Sequence, residues 1–255
     1  MVAGGVDPDS FGHFWQDRQG SGPRVFYTMP DVHNPTGFRY SHETKTRIAQ
    51  LARQFDVWII EDDHLSELEP SGMPRFVDLV PERTFWIKSL SKTTAPGIRV
   101  CAIAVPEHLS ARYAALRVES DPGPAMWIQL FIGRLISSGA FERHLENIQR
   151  VMQSRRENLR KLFSQFPCIV DAGGSAGYTF WLTGKPGCRI MDRHSGQPAR
   201  TMWTEGSRFG SSPATRKSIR IAFMGIPESE WHSALRRLTV DLAVAFPDIS
   251  SDRVG

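Results

Sequence analysis

Cysteine is scarce: Cys101, Cys168 and Cys188 are the three present in 255 residues, and no two of them form a Cys-x-x-Cys pair. That leaves no basis for a disulfide framework, and the expected setting is a reducing, cytoplasmic one with the thiols as core or neutral surface groups. Long apolar runs are also missing. None approaches the roughly 20 residues that span a bilayer, and the Gly- and Asp-rich start does not read as a signal peptide, so no membrane partner is expected. A strong charge of one sign is absent too. Lys and Arg number 31 against 27 Asp and Glu, a net charge of +4, which suits an anionic ligand without demanding nucleic acid. Internal repeats and low-complexity segments are lacking, which excludes a repeat array. What remains is ordinary for a globular chain, with 40% hydrophobic and 23% charged residues and length for one large domain or two small ones.

The stretch Ser89-Leu-Ser-Lys92-Thr-Thr-Ala-Pro-Gly-Ile-Arg99 organises the rest. It lies between two apolar segments, Thr84 to Ile87 and Val100 to Val105, each read as a buried strand. A lysine amine is a poor nucleophile at its free pKa of about 10.4; a neighbouring cation and desolvation both favour its neutral, reactive form. Arg99 is placed to supply such a cation and to grip a phosphate with its planar fork, while Ser89 and Ser91 offer hydroxyl donors.

Upstream, Phe11, Phe14 and Trp15 sit among glycines in a short helix or ordered loop. Val25 to Met29 is a β-type run, followed by a sharp loop through Asn34-Pro35-Thr36-Gly37. Ser41 reads as the N-cap of a helix to Gln54, with Ile48, Leu51, Ala52 and Phe55 at helical spacing. Val57 to Ile60 then reads as a strand covered on both faces, ending in Glu61-Asp62-Asp63-His64. Strand, helix, strand implies a right-handed crossover and a parallel sheet. Ligands of such sheets gather at the carboxyl ends of the strands, where Asn34, Asp62 and Lys92 all fall.

Further on, helices are expected over Glu107 to Ser120, Met126 to Ser138 and Phe141 to Phe166. The last carries Leu145, Ile148, Met152, Leu159 and Leu162 on one side and Arg143, Arg150, Arg155, Arg156, Arg160 and Lys161 on the other, read as a solvated basic face and not a nucleic-acid patch. Short strands follow at Cys168 to Val170, Tyr178 to Leu182, Thr201 to Trp203 and Ser218 to Phe223, with a polar loop at 183–200 and a final helix from Glu228 to Phe246. The Gly173–Gly177 segment lacks the strand–loop–helix context of a phosphate loop. The predicted fold class is therefore α/β, a mostly parallel sheet with flanking helices over 1–150, plus a smaller C-terminal α+β domain over 151–255.

Taken in order, Asn34-Pro35-Thr36-Gly37, Glu61-Asp62-Asp63, Ser89-x-x-Lys92 with Arg99, and Arg220 in Ser218-Ile219-Arg220-Ile221 resemble the fold-type I pyridoxal-phosphate enzymes. The likeness is to class I/II aminotransferases of the 2-aminoadipate kind, and equally to the effector domains of MocR-type transcription regulators; it runs from about residue 4 to residue 245. The resemblance implies pyridoxal 5′-phosphate as cofactor and amino-group transfer from an amino acid to a 2-oxo acid. It implies that Lys92 forms the Schiff base and moves the proton, that Asp62 pairs with the pyridine nitrogen, and that Asn34 bonds the 3′-oxygen. Ser89 and Arg99 would hold the phosphate, and Arg220, with Asn34 beside it, the substrate α-carboxylate. Lys88, inside the strand pattern, reads as structural.

The pattern departs from the family in two places. His64 stands where a tyrosine usually bonds the 3′-oxygen, and it can donate the same bond from a different reach. The family's upstream large-domain strands, phosphate-binding helix N-terminus and ring-stacking aromatic have no counterpart in the 255 residues, so an N-terminally incomplete large domain is expected. Family sites lie at a homodimer interface, and a homodimer is expected of a complete protein. The alternative readings are a non-catalytic, cofactor-binding effector domain of a MocR-type regulator and a truncated pseudoenzyme.

Overall fold

Asp7 begins the first helix, α1 (Pro8–Gln16): its carboxylate accepts the Ser10 N–H at 2.9 Å, and Pro8 pre-sets the first turn. Phe11 and Trp15, four residues apart, share its buried face. β1 (Arg24–Thr28) follows. Ser41 caps α2 (His42–Gln54), accepting the Thr44 N–H at 3.0 Å, and Ile48, Leu51 and Ala52 turn inward. Next come β2 (Val57–Asp63), the one-turn α3 (Phe76–Leu79), β3 (Thr84–Ser89) and β4 (Cys101–Ala104). Three helices follow: α4 (Ser110–Ser120), α5 (Met126–Ser137) and α6 (Ala140–Phe163). The chain continues through β5 (Ile169–Asp171), β6 (Thr179–Gly184), β7 (Trp203–Glu205), α7 (Pro213–Arg216), β8 (Ser218–Ala222) and α8 (Trp231–Ala245).

This computed structural model describes residues 5–186 and 202–246, apart from residues 19, 21, 121 and 122. Cys188 and most of the polar loop read at 183–200 lie outside the described residues. The chain divides into two units, Met1–His33 with Phe38–Gln149, and Asn34–Gly37 with Arg150–Gly255.

In the first unit the sheet runs β1-β2-β3-β4, parallel at the first two pairings and antiparallel at the last. Phe11, Trp15, Ile48, Ala52, Val57, Ile59 and Phe76 form its main core, so α1, α2 and α3 pack on one sheet face. The reading of β2 as covered on both faces is corrected: burial alternates along it, with Val57, Ile59, Glu61 and Asp63 buried and Trp58, Ile60 and Asp62 partly exposed. The same open face leaves Val25, Tyr27 and Ile103 exposed. β4 is likewise no buried strand. Among the described residues it is an edge, bonded on one side only, and Cys101, Ala102 and Ile103 are exposed. α5 buries Ile132 against Leu90 and Phe141. Among the described residues no helix is long and apolar enough to cross a membrane.

The second unit carries an all-antiparallel sheet, β5-β6-β8-β7. Phe180 meets Phe163 of α6 and Phe223 with ring centroids 5.0 and 5.7 Å apart. Met152, Leu159 and Leu162 of α6 and Leu238 and Leu242 of α8 are buried. Arg155 corrects the solvated-face reading of α6. It is 4% exposed, and its guanidinium donates to the carbonyls of Phe223 (3.0 Å) and Ile226 (2.7 Å), pairs with Glu228 at 2.7 Å and lies over the Trp231 ring. The two units together have the predicted fold class, a mostly parallel α/β sheet with flanking helices and a smaller α+β part.

Candidate functional site

The acidic triplet is split by the pleat of β2, because successive side chains leave opposite faces of a strand. Glu61 and Asp63 point to the buried face. Glu61 accepts the backbone N–H groups of Phe76 and Val77, both at 3.1 Å, and so caps α3; burial nevertheless outweighs those bonds and pushes its carboxyl up to about 7. Asp63 takes the Lys88 ammonium at 3.1 Å, the Ser66 hydroxyl at 2.7 Å and the Trp86 indole N–H at 3.2 Å. Burial alone would raise Asp63, but Lys88 and Ser66 together hold it below the usual carboxylate range. Lys88 is also bonded to Ser66 and paired with Glu67. Its amine is fully engaged in joining β2 to β3, where Asp63 and Lys88 are direct partners.

Asp62 faces the other way. Its Oδ2 accepts the Tyr27 hydroxyl at 2.5 Å, and its Oδ1 lies 4.0 Å from His64 Nδ1. The β1–β2 register makes this contact, since Tyr27 stands opposite Ile60, the same-face neighbour of Asp62. Partial desolvation and then the Asp62 bond hold the Tyr27 phenol well above its ordinary value. Sequence reasoning missed Tyr27. Its alternation within Arg24–Thr28 was readable, but pairing it with Asp62 needed the register. Burial lowers His64, the nearby Asp62 and Asp63 raise it less, and the Lys92 and Lys88 charges lower it further, so the imidazole is neutral at pH 7. His33 is likewise pushed down to about 4, chiefly by burial.

Ser89 ends β3, half-buried. The chain then turns, with Thr94 N–H donating to the Leu90 carbonyl at 3.0 Å. Ser91 and Thr93 are buried and Lys92, between them, points out. Lys92 has no hydrogen bond or ion pair among the described residues, and its charge is felt at His64. The desolvation expected around this amine is not supplied by the described residues, since Lys92 is exposed. Arg99 closes the Pro96–Ile98 turn in the left-handed region at φ 53°. It is exposed and makes no hydrogen bond to Ser89 or ion pair with Asp62 among the described residues. Asp62 and His64 are thus brought together, with the Lys92 charge felt at His64; Ser89 and Arg99 border the same loop and make no hydrogen bond to them among the described residues.

Asn34 belongs with the second unit, as does Arg220 on β8. Arg220 Nη1 donates to Asn34 Oδ1 at 3.1 Å and Nη2 to the Thr204 hydroxyl at 3.3 Å, with the guanidinium over the Phe209 ring. Its Nε is buried with no hydrogen-bond partner among the described residues, and burial lowers its affinity for a proton. The loop that carries Asn34 is strapped down by Gly174 N–H to the Thr36 carbonyl at 2.7 Å and by the Thr179 hydroxyl to the Pro35 carbonyl at 3.2 Å. Gly37 sits at φ 68°, where a Cβ would come within 2.7 Å of the Ala176 carbonyl oxygen, so glycine is required. The Gly173–Gly177 segment is the surface that receives this turn.

Residues 21–238 match the family model for aminotransferase class I and II. The chain belongs to that family. Aromatic-amino-acid aminotransferase 1 of Thermococcus litoralis is 25% identical over 228 residues, covering 87% of this chain and 55% of that protein. An uncharacterized HTH-type transcriptional regulator of Bacillus subtilis, YcxD, is 33% identical over 159 residues, covering 62% of this chain and 35% of the regulator. Among solved structures, LysN, the α-aminoadipate aminotransferase of Thermus thermophilus, complexed with N-(5′-phosphopyridoxyl)-L-leucine, superposes with a TM-score of 0.78 at 18% identity over 96% of this chain and 64% of LysN. This aminotransferase-family chain therefore spans between about a third and two thirds of the relatives it matches.

Proposed function

We propose that the chain binds pyridoxal 5′-phosphate and takes part in moving an amino group from an amino acid to a 2-oxo acid. The observation that carries this reading is the division of labour between the two lysines at the end of β3. Lys88 is buried and fully paired, whereas Lys92 makes no hydrogen bond or ion pair among the described residues and its charge is felt at His64, beside Asp62. The donor set fits the cofactor. Among the described residues Asp62 Oδ1 accepts no hydrogen bond, which leaves it as the acceptor that a protonated pyridine nitrogen requires. When bound, the cofactor supplies an electron sink for the substrate's α-carbon.

In this reading Lys92 would hold the cofactor through its aldehyde carbon, the carbonyl oxygen leaving as water, and its amine, once displaced by the substrate amine, would be the base that takes the proton from the substrate α-carbon. Asp62 holds the pyridine nitrogen, and the neutral His64 ring donates to the 3′-oxygen in place of the family's usual tyrosine. Ser89 and Arg99 bind phosphate. In the second unit, Arg220 serves the substrate carboxylate with Asn34 fixing one guanidinium nitrogen; its unpartnered Nε supports that role. Titration of the folded protein with pyridoxal phosphate should raise a visible absorbance band that Lys92→Ala abolishes. A folded wild-type protein that develops no band would refute the cofactor assignment.

The likeness to HTH-type regulators favours a second reading, in which the cofactor is bound and an amino acid is sensed without turnover. An amino acid that shifts the band while no 2-oxo acid accumulates would select it.

A further inference from the structure

Tyr27 lies outside the set of residues that the family pattern singles out, yet it makes the shortest contact to Asp62. Its hydroxyl donates to Oδ2 at 2.5 Å, from a strand locked to β2 over five residue pairs. Asp63, the neighbouring acid, is turned away and held by Lys88, Ser66 and Trp86. His64 Nδ1 stays at 4.0 Å from Oδ1, too far to hold it by a hydrogen bond. Among the described residues the Tyr27 hydroxyl is therefore the group that fixes the rotation of the Asp62 carboxylate.

Resting on the cofactor reading above, we infer that Tyr27 is a positioning residue: its O–H occupies Asp62 Oδ2 and so reserves Oδ1 for the cofactor's pyridine nitrogen. A phenol suits this task. It is rigid, and it remains a neutral donor across the working pH range because partial desolvation and Asp62 itself oppose its ionisation. A hydrogen bond to a charged acceptor is worth about one to two powers of ten in an equilibrium.

The test compares wild type, Tyr27→Phe and Val25→Ala, the last removing bulk from the same strand face without touching Asp62. Tyr27→Phe is expected to bind pyridoxal phosphate about tenfold more weakly and to move the pH midpoint of the bound chromophore. Val25→Ala is expected to leave both unchanged. A cofactor-free readout accompanies these. The phenol ionisation that disappears in Tyr27→Phe should move to lower pH in Asp62→Asn. Unchanged affinity and midpoint in Tyr27→Phe, with a wild-type band present, would overturn the inference and leave the cofactor reading standing. An unmoved phenol in Asp62→Asn would also overturn it, even if Tyr27→Phe fails to fold. No band in wild type would remove the cofactor reading and this inference together.

Discussion

Glu61 is buried and His33 half-buried, and their titrations pull stability in opposite directions. Burial holds His33 near 4 instead of 6.5, so below 6.5 the unfolded chain takes up a proton that the folded chain refuses. Its contribution to stability is full above 6.5 and lost as pH falls through about 4. Glu61 is raised from 4.5 to about 7, so the folded chain keeps a proton the unfolded one has released. Its contribution is full below 4.5 and lost as pH rises through about 7. Over the shared window the Glu61 slope opposes that of His33, to which the likewise lowered His64 adds. Urea denaturation between these pH values reads the balance of these groups in wild type. Relative to wild type, His33→Gln should tilt the dependence toward stability that falls as pH rises, and Glu61→Gln toward stability that rises with pH. Parallel curves for all three proteins would contradict the assignment.

At the scale of the element, the helices were the most legible part of the sequence. Ser41 and the spacing of Ile48, Leu51 and Ala52 define α2 without tertiary help. The strands were legible as strands but not by face. Val57-Trp-Ile-Ile60 is apolar throughout, so only the observed burial reveals that one face is open and that Asp62 lies within the strand on that face. The placement of Asp62 on that face and its contact with Tyr27 depended on strand register, which the sequence does not carry. Arg155 was illegible for a related reason. A cation on an amphipathic helix reads as solvated, and its partners, the carbonyls of Phe223 and Ile226, are distant in sequence and carry no side-chain signal. Arg155→Met should lower the stability of the second unit by about 2–4 kcal/mol, since it leaves two carbonyls and Glu228 without their donor. Chemical denaturation followed by Trp231 fluorescence would measure it; a loss under about 0.5 kcal/mol, the usual size for a surface change, would restore the solvated reading.

Across the whole molecule, family membership rests on residues 21–238, and the solved aminotransferases share the fold at 18–20% identity. The same stretch of sequence aligns with aminotransferases and with regulators, so the fold alone does not select between turnover and sensing. Both readings require one amine to be chemically distinct from every other lysine on the surface. Borohydride reduction of the protein incubated with pyridoxal phosphate, followed by peptide mass mapping, tests that requirement most directly. The account predicts a single, near-stoichiometric cofactor mark on Lys92 and none on Lys88. A mark on Lys88, or marks spread over the exposed lysines in proportion to their accessibility, would contradict it.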